Sequence, residues 1–197
     1  GVTVSLFTGT AADGYGGTDT LIDIDAVRGS SFNDSLEGDD NANRLEGMAG
    51  EDVLNGRGGD DYIDGGDQPS AAGSLFFDIA DFGTAGQGVT VDLGAGTAVG
   101  DGNDTLAGIE GVFGSAHNDT LTGAADSSNL LRGRGGNDSI VGGDQVDIVD
   151  YRQASGGESV NLGTGVVGGA DGNDTLVGIE MVIASSHDDT LTGGSGD

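Results

Sequence analysis

The chain has 197 residues, of which 42 are Gly, one is Pro and none is Cys or Trp, and 35% are hydrophobic. Thirty-four acidic residues stand against six basic ones, a formal net charge of −28. That balance excludes nucleic acid as a partner, because phosphate binding takes clustered Lys and Arg. The low apolar content excludes a thick interdigitated core, so any core must be thin and built from short repeated elements. All six bases are Arg, and Asp outnumbers Glu by 28 to 6. Asp places its carboxylate near the backbone and suits tight turns, whereas Glu suits helices. Self-repulsion of this size disfavours a compact state unless something positive neutralises it, so the chain is either disordered or holds cations. No stretch approaches the ~18 apolar residues of a membrane span, and no charged-then-apolar leader opens the sequence.

In chain order, the first long repeat covers 1–87. It opens with a V-x-V step at Val2 and carries an isolated unit, GYGGTDTLI, around Asp19. From Gly29 to Asp67 the sequence falls into nine-residue units: GSSFNDSLE, GDDNANRLE, GMAGEDVLN, GRGGDDYID and the start of a fifth. Gly holds the first place. The sixth place reads Asp34, Asn43, Asp52 and Asp61, and the eighth reads Leu36, Leu45, Leu54 and Ile63. Pro69–Leu75 reads as a loop inserted into one copy, and DIADF (78–82) leads into the second long repeat, 88–158. There VGDGNDTLA surrounds Asp104, and a second nonapeptide run, 114–150, places Asp119, Asn129, Asp138 and Asp147 in phase. DIVDY (147–151) leads into a third, truncated long repeat, 159–197, with units around Asp174 and Asp189. In each long repeat two Asp lie 15 residues apart: 19 and 34, 104 and 119, 174 and 189. The three long repeats are expected to form one continuous solenoid.

The pattern G-x-x-G-x-D-x-U-x, with U aliphatic, has two physical halves. The Gly-rich half permits positive φ, bends tightly and presents carbonyl oxygens. The x-U-x half is a strand of about three residues with one inward side chain. Such strands are stable only when stacked, so that the aliphatics form a ladder and the backbone groups pair between coils. The predicted fold is therefore all-β, a parallel β-roll or β-solenoid. The sixth-place Asp then recurs at one corner of every coil, about 4.8 Å from the next. Carboxylates and carbonyls without Cys select a hard ion such as Ca²⁺. The competing reading is a solvated Asp capping its own Gly turn.

These residues resemble the calcium-binding nonapeptides of the RTX family. The resemblance implies that two nonapeptides make one coil and that each calcium lies between units two apart, with several ions bound along the chain. One unit gives places two, four and six, and the other gives places one, three and six, mainly through backbone carbonyls. Carried over, Ser30, Phe32 and Asp34 face Gly47, Ala49 and Asp52; Asp39, Asn41 and Asn43 face Gly56, Gly58 and Asp61. Met48, Gly50 and Asp52 face Gly65 and Asp67. Ser115, His117 and Asp119 face Gly133, Gly135 and Asp138, and Asn129 pairs with Gly142, Asp144 and Asp147. Asp19, Asp104, Asp174 and Asp189 are expected ligands in the isolated units. Asn43 and Asn129 depart from the pattern by removing a charge. Each 15-residue interval is expected to be one compact coil whose far side carries Asp25, Glu110 or Glu180, next in line to an Asn-bearing corner.

His117 and His187 occupy a place held by Phe32 in the first copy, which marks a variable turn position rather than a catalytic one. No H-E-x-x-H or G-x-S-x-G is present, and the chain is read as a non-enzyme. The resemblance implies a segment of a secreted or cell-surface bacterial protein, exported by type I secretion and folding on calcium outside the cell. An adhesin, surface-layer or filament scaffold is the first reading. A folding module of a secreted protease, lipase or alginate epimerase is the alternative. Partners beyond calcium are further copies of the chain or other surface polymers.

Overall fold

The computed structural model describes residues 1–67 and 75–194, and over them it holds twenty-two short strands and no helix. Most strands are three residues long, because only x-U-x of each nonapeptide is extended before the next Gly-rich turn bends the chain. Successive strands of the nonapeptide runs alternate between two facing sheets of ten and twelve strands. Ser35 pairs in parallel with Val53, and Arg44 with Tyr62. Both offsets equal two nonapeptides, so two units make one coil. The predicted parallel β-roll is the fold.

The strands of the two nonapeptide runs turn the side chain at place eight inward. On the ten-stranded sheet the inward column runs Val4, Leu36, Leu54, Ala80, Val112, Leu131 and Val149. On the facing sheet Leu45, Ile63 and Leu106 stack in the same way, as do Val91, Leu121, Ile140 and Leu176. Leu36, Leu45, Leu54, Ile63, Leu121, Leu131 and Ile140 are buried completely or nearly so. Each contributes about 1.5–3 kcal/mol of apolar burial, and parallel register keeps equal side chains in contact along the axis. Phe82 and Tyr151 lie in this core. Phe77 instead covers the outer face of the ten-stranded sheet with Leu130 and Ile148. Of the predicted Pro69–Leu75 loop, residues 69–74 lie outside the described residues.

The long repeats add an element that the nine-residue period does not contain. Thr3–Ser5, Thr10–Ala12 and Thr18–Thr20 form an antiparallel meander. Thr90–Asp92, Thr97–Val99 and Asn103–Ala107 form a second, and Glu158–Asn161, Val166–Gly169 and Thr175–Val177 a third. The first meander lies in the ten-stranded sheet and the others in the twelve-stranded sheet. The first hairpin of each meander turns at a Gly of positive φ, Gly9, Gly96 or Gly165, where a side chain with a Cβ would be strained.

The meander corrects the expected geometry of the 15-residue intervals. From Asn103–Ala107 the chain does cross to the opposite sheet, as Gly111–Phe113, and return as Thr120–Thr122. It returns beside the first meander strand, not the third. Two strands therefore separate Asp104 from Asp119, and the same order separates Asp19 from Asp34 and Asp174 from Asp189. Asp104 instead stacks on Asp61 of the preceding nonapeptide coil.

Candidate metal centre: two columns of carboxylates

The sixth-place residue directly precedes each inward-facing strand, so parallel register stacks these residues into a column along each sheet. On the ten-stranded sheet the column runs Val2, Asp34, Asp52, Asp78, Glu110, Asn129, Asp147 and Glu180. On the twelve-stranded sheet one stretch is Asp25, Asn43, Asp61 and Asp104, a second is Val89, Asp119, Asp138 and Asp174, and a third is Glu158 and Asp189.

One hydrogen bond recurs up the columns. A carboxylate oxygen accepts the backbone N–H of the sixth-place residue one coil before it. Asp34 N donates to Asp52 Oδ1 at 2.7 Å, Asp52 N to Asp78 Oδ1 at 2.8 Å, and Asn43 N to Asp61 Oδ1 at 2.8 Å. Asp61 N donates to Asp104 at 3.0 Å, Asp119 N to Asp138 at 2.8 Å, and Asp138 N to Asp174 at 2.9 Å. The second oxygen turns into its own Gly-rich turn, as where Asp119 Oδ2 accepts Ser115 N at 2.7 Å. The first-place glycines make room for it: a Cβ on Gly47 would sit 2.7 Å from the Gly65 carbonyl oxygen and press on Asp52 Oδ2.

These carboxylates are buried to an unusual degree. Asp52, Asp61, Asp119, Asp138 and Asp147 are at most 3% exposed. The second oxygens of Asp52, Asp61 and Asp138 are buried with no hydrogen-bond partner among the described residues. Burial raises the carboxyl of Asp61 to about 7, against the backbone hydrogen bond from Asn43 and with the charge of Asp104 adding to it. Burial does the same for Asp138, to about 7, and for Asp104, to about 6. Asp52, Asp119 and Asp174 are also raised, first by burial. Stacked ionised carboxylates with orphaned oxygens call for a cation.

The six arginines do not supply it. Arg28 and Arg44 pair with Glu46, and Arg57 with Glu37. Arg134 pairs with Asp81, and Arg132 and Arg152 with Asp150. All these acids lie on strands rather than in the columns. Among the described residues no three His, Asp or Glu side chains gather around one point. A cation between coils would thus take one or two carboxylates and complete its shell from turn carbonyls, the oxygen-rich donor set of Ca²⁺. The residues present fit that ion, and its chemistry would be charge neutralisation and cross-linking of coils.

The structure stacks Asp34 beside Asp52, Asn43 beside Asp61, Asp119 beside Asp138 and Asn129 beside Asp147. Fourth-place residues stack too: a Cβ on Gly50 would lie 2.6 Å from the Phe32 carbonyl carbon, and one on Gly136 2.6 Å from that of His117. The turn of Gly65 and Asp67 lies against that of Met48, Gly50 and Asp52, with Asp67 exposed and its N–H donated to the Met48 carbonyl at 2.9 Å, while the sixth place beside Asp52 is filled by Asp78. Asp39 is held within its own turn by Asn41 N and Asn43 Nδ2, and Asp144 is exposed. Asp19 is exposed on an edge strand, and Asp189 accepts Glu158 N at 2.8 Å on another.

The three far-side acids divide. Glu110 lies between Asp78 and Asn129, accepts Asp78 N at 3.2 Å, and is pushed to about 7 by burial. Glu180 stacks beside Asp147 and accepts its N–H at 2.9 Å, so its neighbour is an Asp. Asp25 stacks beside Asn43 but is exposed, so it does not make up the charge that Asn43 lacks. Asn129 Nδ2 lies within hydrogen-bond distance of Ala124 O, Ser127 O and Asp147 Oδ1, so its two hydrogens are shared between its own turn and the acid stacked beside it.

Sequence reasoning missed two buried polar features. Arg132 and Asp150 form an ion pair with both side chains buried, and Arg132 stacks over Phe113 at 3.8 Å. Burial would raise Asp150, but hydrogen bonds from Arg152 and Arg132 outweigh it and hold the carboxyl below its ordinary value. Tyr151 donates to Asp174 Oδ2 at 2.7 Å, and burial with that charge pushes its hydroxyl pKa up. The change of Phe82 to Tyr151 between copies was the available signal for the second of these.

A parallel β-roll whose turns stack carboxylates in register is the framework of a cation-binding repeat protein. The family model of the RTX calcium-binding nonapeptide repeat matches the chain in four copies, at residues 22–47, 37–68, 125–153 and 180–197. The chain carries repeats of that family, and RTX nonapeptide repeats bind Ca²⁺. No curated protein matches it. Among the described residues no helix is long and apolar enough to cross a membrane.

Proposed function

We propose that this calcium-binding repeat segment is a folding switch of a secreted or cell-surface bacterial scaffold. At the low free calcium of a cytoplasm, a charge of −28 and the burial of ionised Asp keep the chain extended and competent for export. Outside, calcium at roughly 10⁻⁴–10⁻³ M neutralises the columns, and binding energy becomes folding energy. The product is a stiff acidic rod and not a catalyst. The ligand sets are those of the stacked turns: Asp34 with Asp52, Asp61 with the Asn43 turn, Asp119 with Asp138, and Asp147 with the Asn129 turn.

The observation that carries this reading is the set of orphaned, buried oxygens on Asp52, Asp61 and Asp138. Circular dichroism during a calcium titration, with magnesium as control, tests it. A cooperative coil-to-β transition with calcium alone is expected. Full β structure in excess chelator at pH 8 would refute it.

A further inference from the structure

Outside the four matched segments, two hairpin turns stack on nonapeptide coils in the same manner as a nonapeptide does. The turn between Thr97–Val99 and Asn103–Ala107 lies on the GRGGDD turn (56–61), and Thr105 pairs with Tyr62 in parallel. The turn between Val166–Gly169 and Thr175–Val177 lies on the GRGGND turn (133–138), and Thr175 pairs with Ser139. The glycines fix a close approach. A Cβ on Gly102 would run into the Gly59 carbonyl, and one on Gly172 into that of Gly136. Polar ties repeat as well: Asn103 N donates to Asp60 Oδ1 at 2.9 Å, and Asn173 N to Asn137 Oδ1 at 2.8 Å.

Of the three sixth-place acids with an orphaned buried oxygen, two, Asp61 and Asp138, lie beneath these hairpins. Their exposures are 3% and 2%. Above them lie Asp104 and Asp174, also buried, with Asp101 and Asp171 three residues earlier in the same turns. No arginine reaches Asp61 or Asp138: Arg57 and Arg134, from the same two turns, are drawn outward to Glu37 and Asp81.

We infer that each hairpin turn completes a Ca²⁺ site with the nonapeptide turn below it, Asp61 with Asp104 and Asp138 with Asp174, closed by backbone carbonyls of the two stacked turns. The role of Asp101 and Asp171 is to add negative charge at the mouth. Half a nonapeptide suffices because the lower turn supplies the rest, so the meanders are metal-binding elements as well as spacers. This rests on the calcium reading above.

The test counts ions. Calcium bound per chain is measured by atomic emission after equilibrium dialysis at about 10 mM free calcium, above the ~10⁻⁴–10⁻³ M range of extracellular modules. The wild type is compared with Asp104→Ala/Asp174→Ala and with Asp34→Ala as a control between two nonapeptides. Ala removes the side-chain oxygens altogether, whereas Asn would keep an amide oxygen of the kind that Asn43 and Asn129 place in these columns. The double variant is expected to bind two ions fewer than wild type with its β signal retained, and the control one fewer. Should the double variant fail to fold, the two single variants read one ion each. A double variant, or single variants, with the wild-type count beside a control that loses an ion would overturn this inference and leave the calcium reading standing. A wild type that binds no calcium would overturn both.

Discussion

If burial of ionised carboxylates is what opposes folding, protons should replace calcium. Asp61 and Asp138 are raised from about 3.8 to about 7 in the folded chain, chiefly by burial. At about 1.4 kcal/mol per unit, holding each one ionised costs on the order of 4 kcal/mol. Two such groups cost roughly as much as a whole domain's net stability of about 5–15 kcal/mol. Because the folded pKa lies above the unfolded one, the folded chain binds more protons between pH 4 and 7. The stabilisation is complete below pH 4 and is lost as pH rises through about 7. Asp150, whose carboxyl is held low, runs in the opposite sense, and its contribution is lost only below its ordinary range. In excess chelator, far-UV circular dichroism and urea denaturation at pH 5, 6, 7 and 8 should show β structure growing steadily as pH falls. The Asp61→Asn/Asp138→Asn variant should flatten that dependence and be more stable than wild type at pH 8 without calcium. Equal apo stability at pH 5 and 8, or growth with rising pH, would refute the reasoning. An unchanged slope in the variant would assign the effect to net charge alone.

Asp52→Asn should exchange calcium affinity for apo stability, raising the calcium midpoint of folding about tenfold (about 1.4 kcal/mol) in a titration followed by circular dichroism. Arg132→Met leaves Asp150 with only Arg152 and should cost about 3 kcal/mol in saturating calcium by urea denaturation. Adding Asp150→Leu should recover most of that. Leu54→Ala, at a position with no exposure, should cost about 2–5 kcal/mol, while Val177→Ala, 61% exposed, should change stability by less than about 0.5 kcal/mol. Gly136→Ala combines a φ of +125° with a Cβ 2.6 Å from the His117 backbone, and should lower the melting temperature in calcium far more than Gly193→Ala, where the space is open.

The roll was legible because its period is short and each place has one physical task. Gly at place one, Asp or Asn at place six and an aliphatic at place eight specify turn, column and core together, and Leu36, Leu45, Leu54 and Ile63 lie where that phase puts them. The middle meander strands were not legible. Thr10–Ala12, Thr97–Val99 and Val166–Gly169 are short, half-apolar and embedded in Gly-rich sequence that reads as loop. Their signal was nevertheless present as LFTGT, LGAGT and LGTGV, a Leu and a Gly at fixed distance before each strand. The residue before each Leu supports the turn: Ser5 Oγ accepts Thr8 N, Asp92 Oδ1 accepts Ala95 N, and Asn161 Oδ1 accepts Thr164 N. Three different side chains make one bond, so letter identity hid what hydrogen-bonding capacity would have revealed.

The meanders also set how far a column of like charges extends. In a run of nonapeptides alone, every coil would add an acid to both columns, and an apo chain would carry the repulsion along its whole length. Where a meander begins, the column position falls to Val2 or Val89, and the antiparallel middle strand places no carboxylate there at all. The twelve-stranded sheet is thereby divided into stretches of at most four column positions. Val89 donates its N–H to Asp119 Oδ1, so the end of a stretch is still hydrogen-bonded although it brings no charge. Glu158 breaks this rule in the third copy, and its carboxylate is drawn off by Ala170 N on the hairpin turn while its N–H still serves Asp189. The acid ladder of the twelve-stranded sheet is thus split into short stretches that a few ions each can neutralise, while the column of the ten-stranded sheet runs on from Asp34 to Glu180 past those breaks. Shared strands of the continuous sheet then join those stretches into one rod.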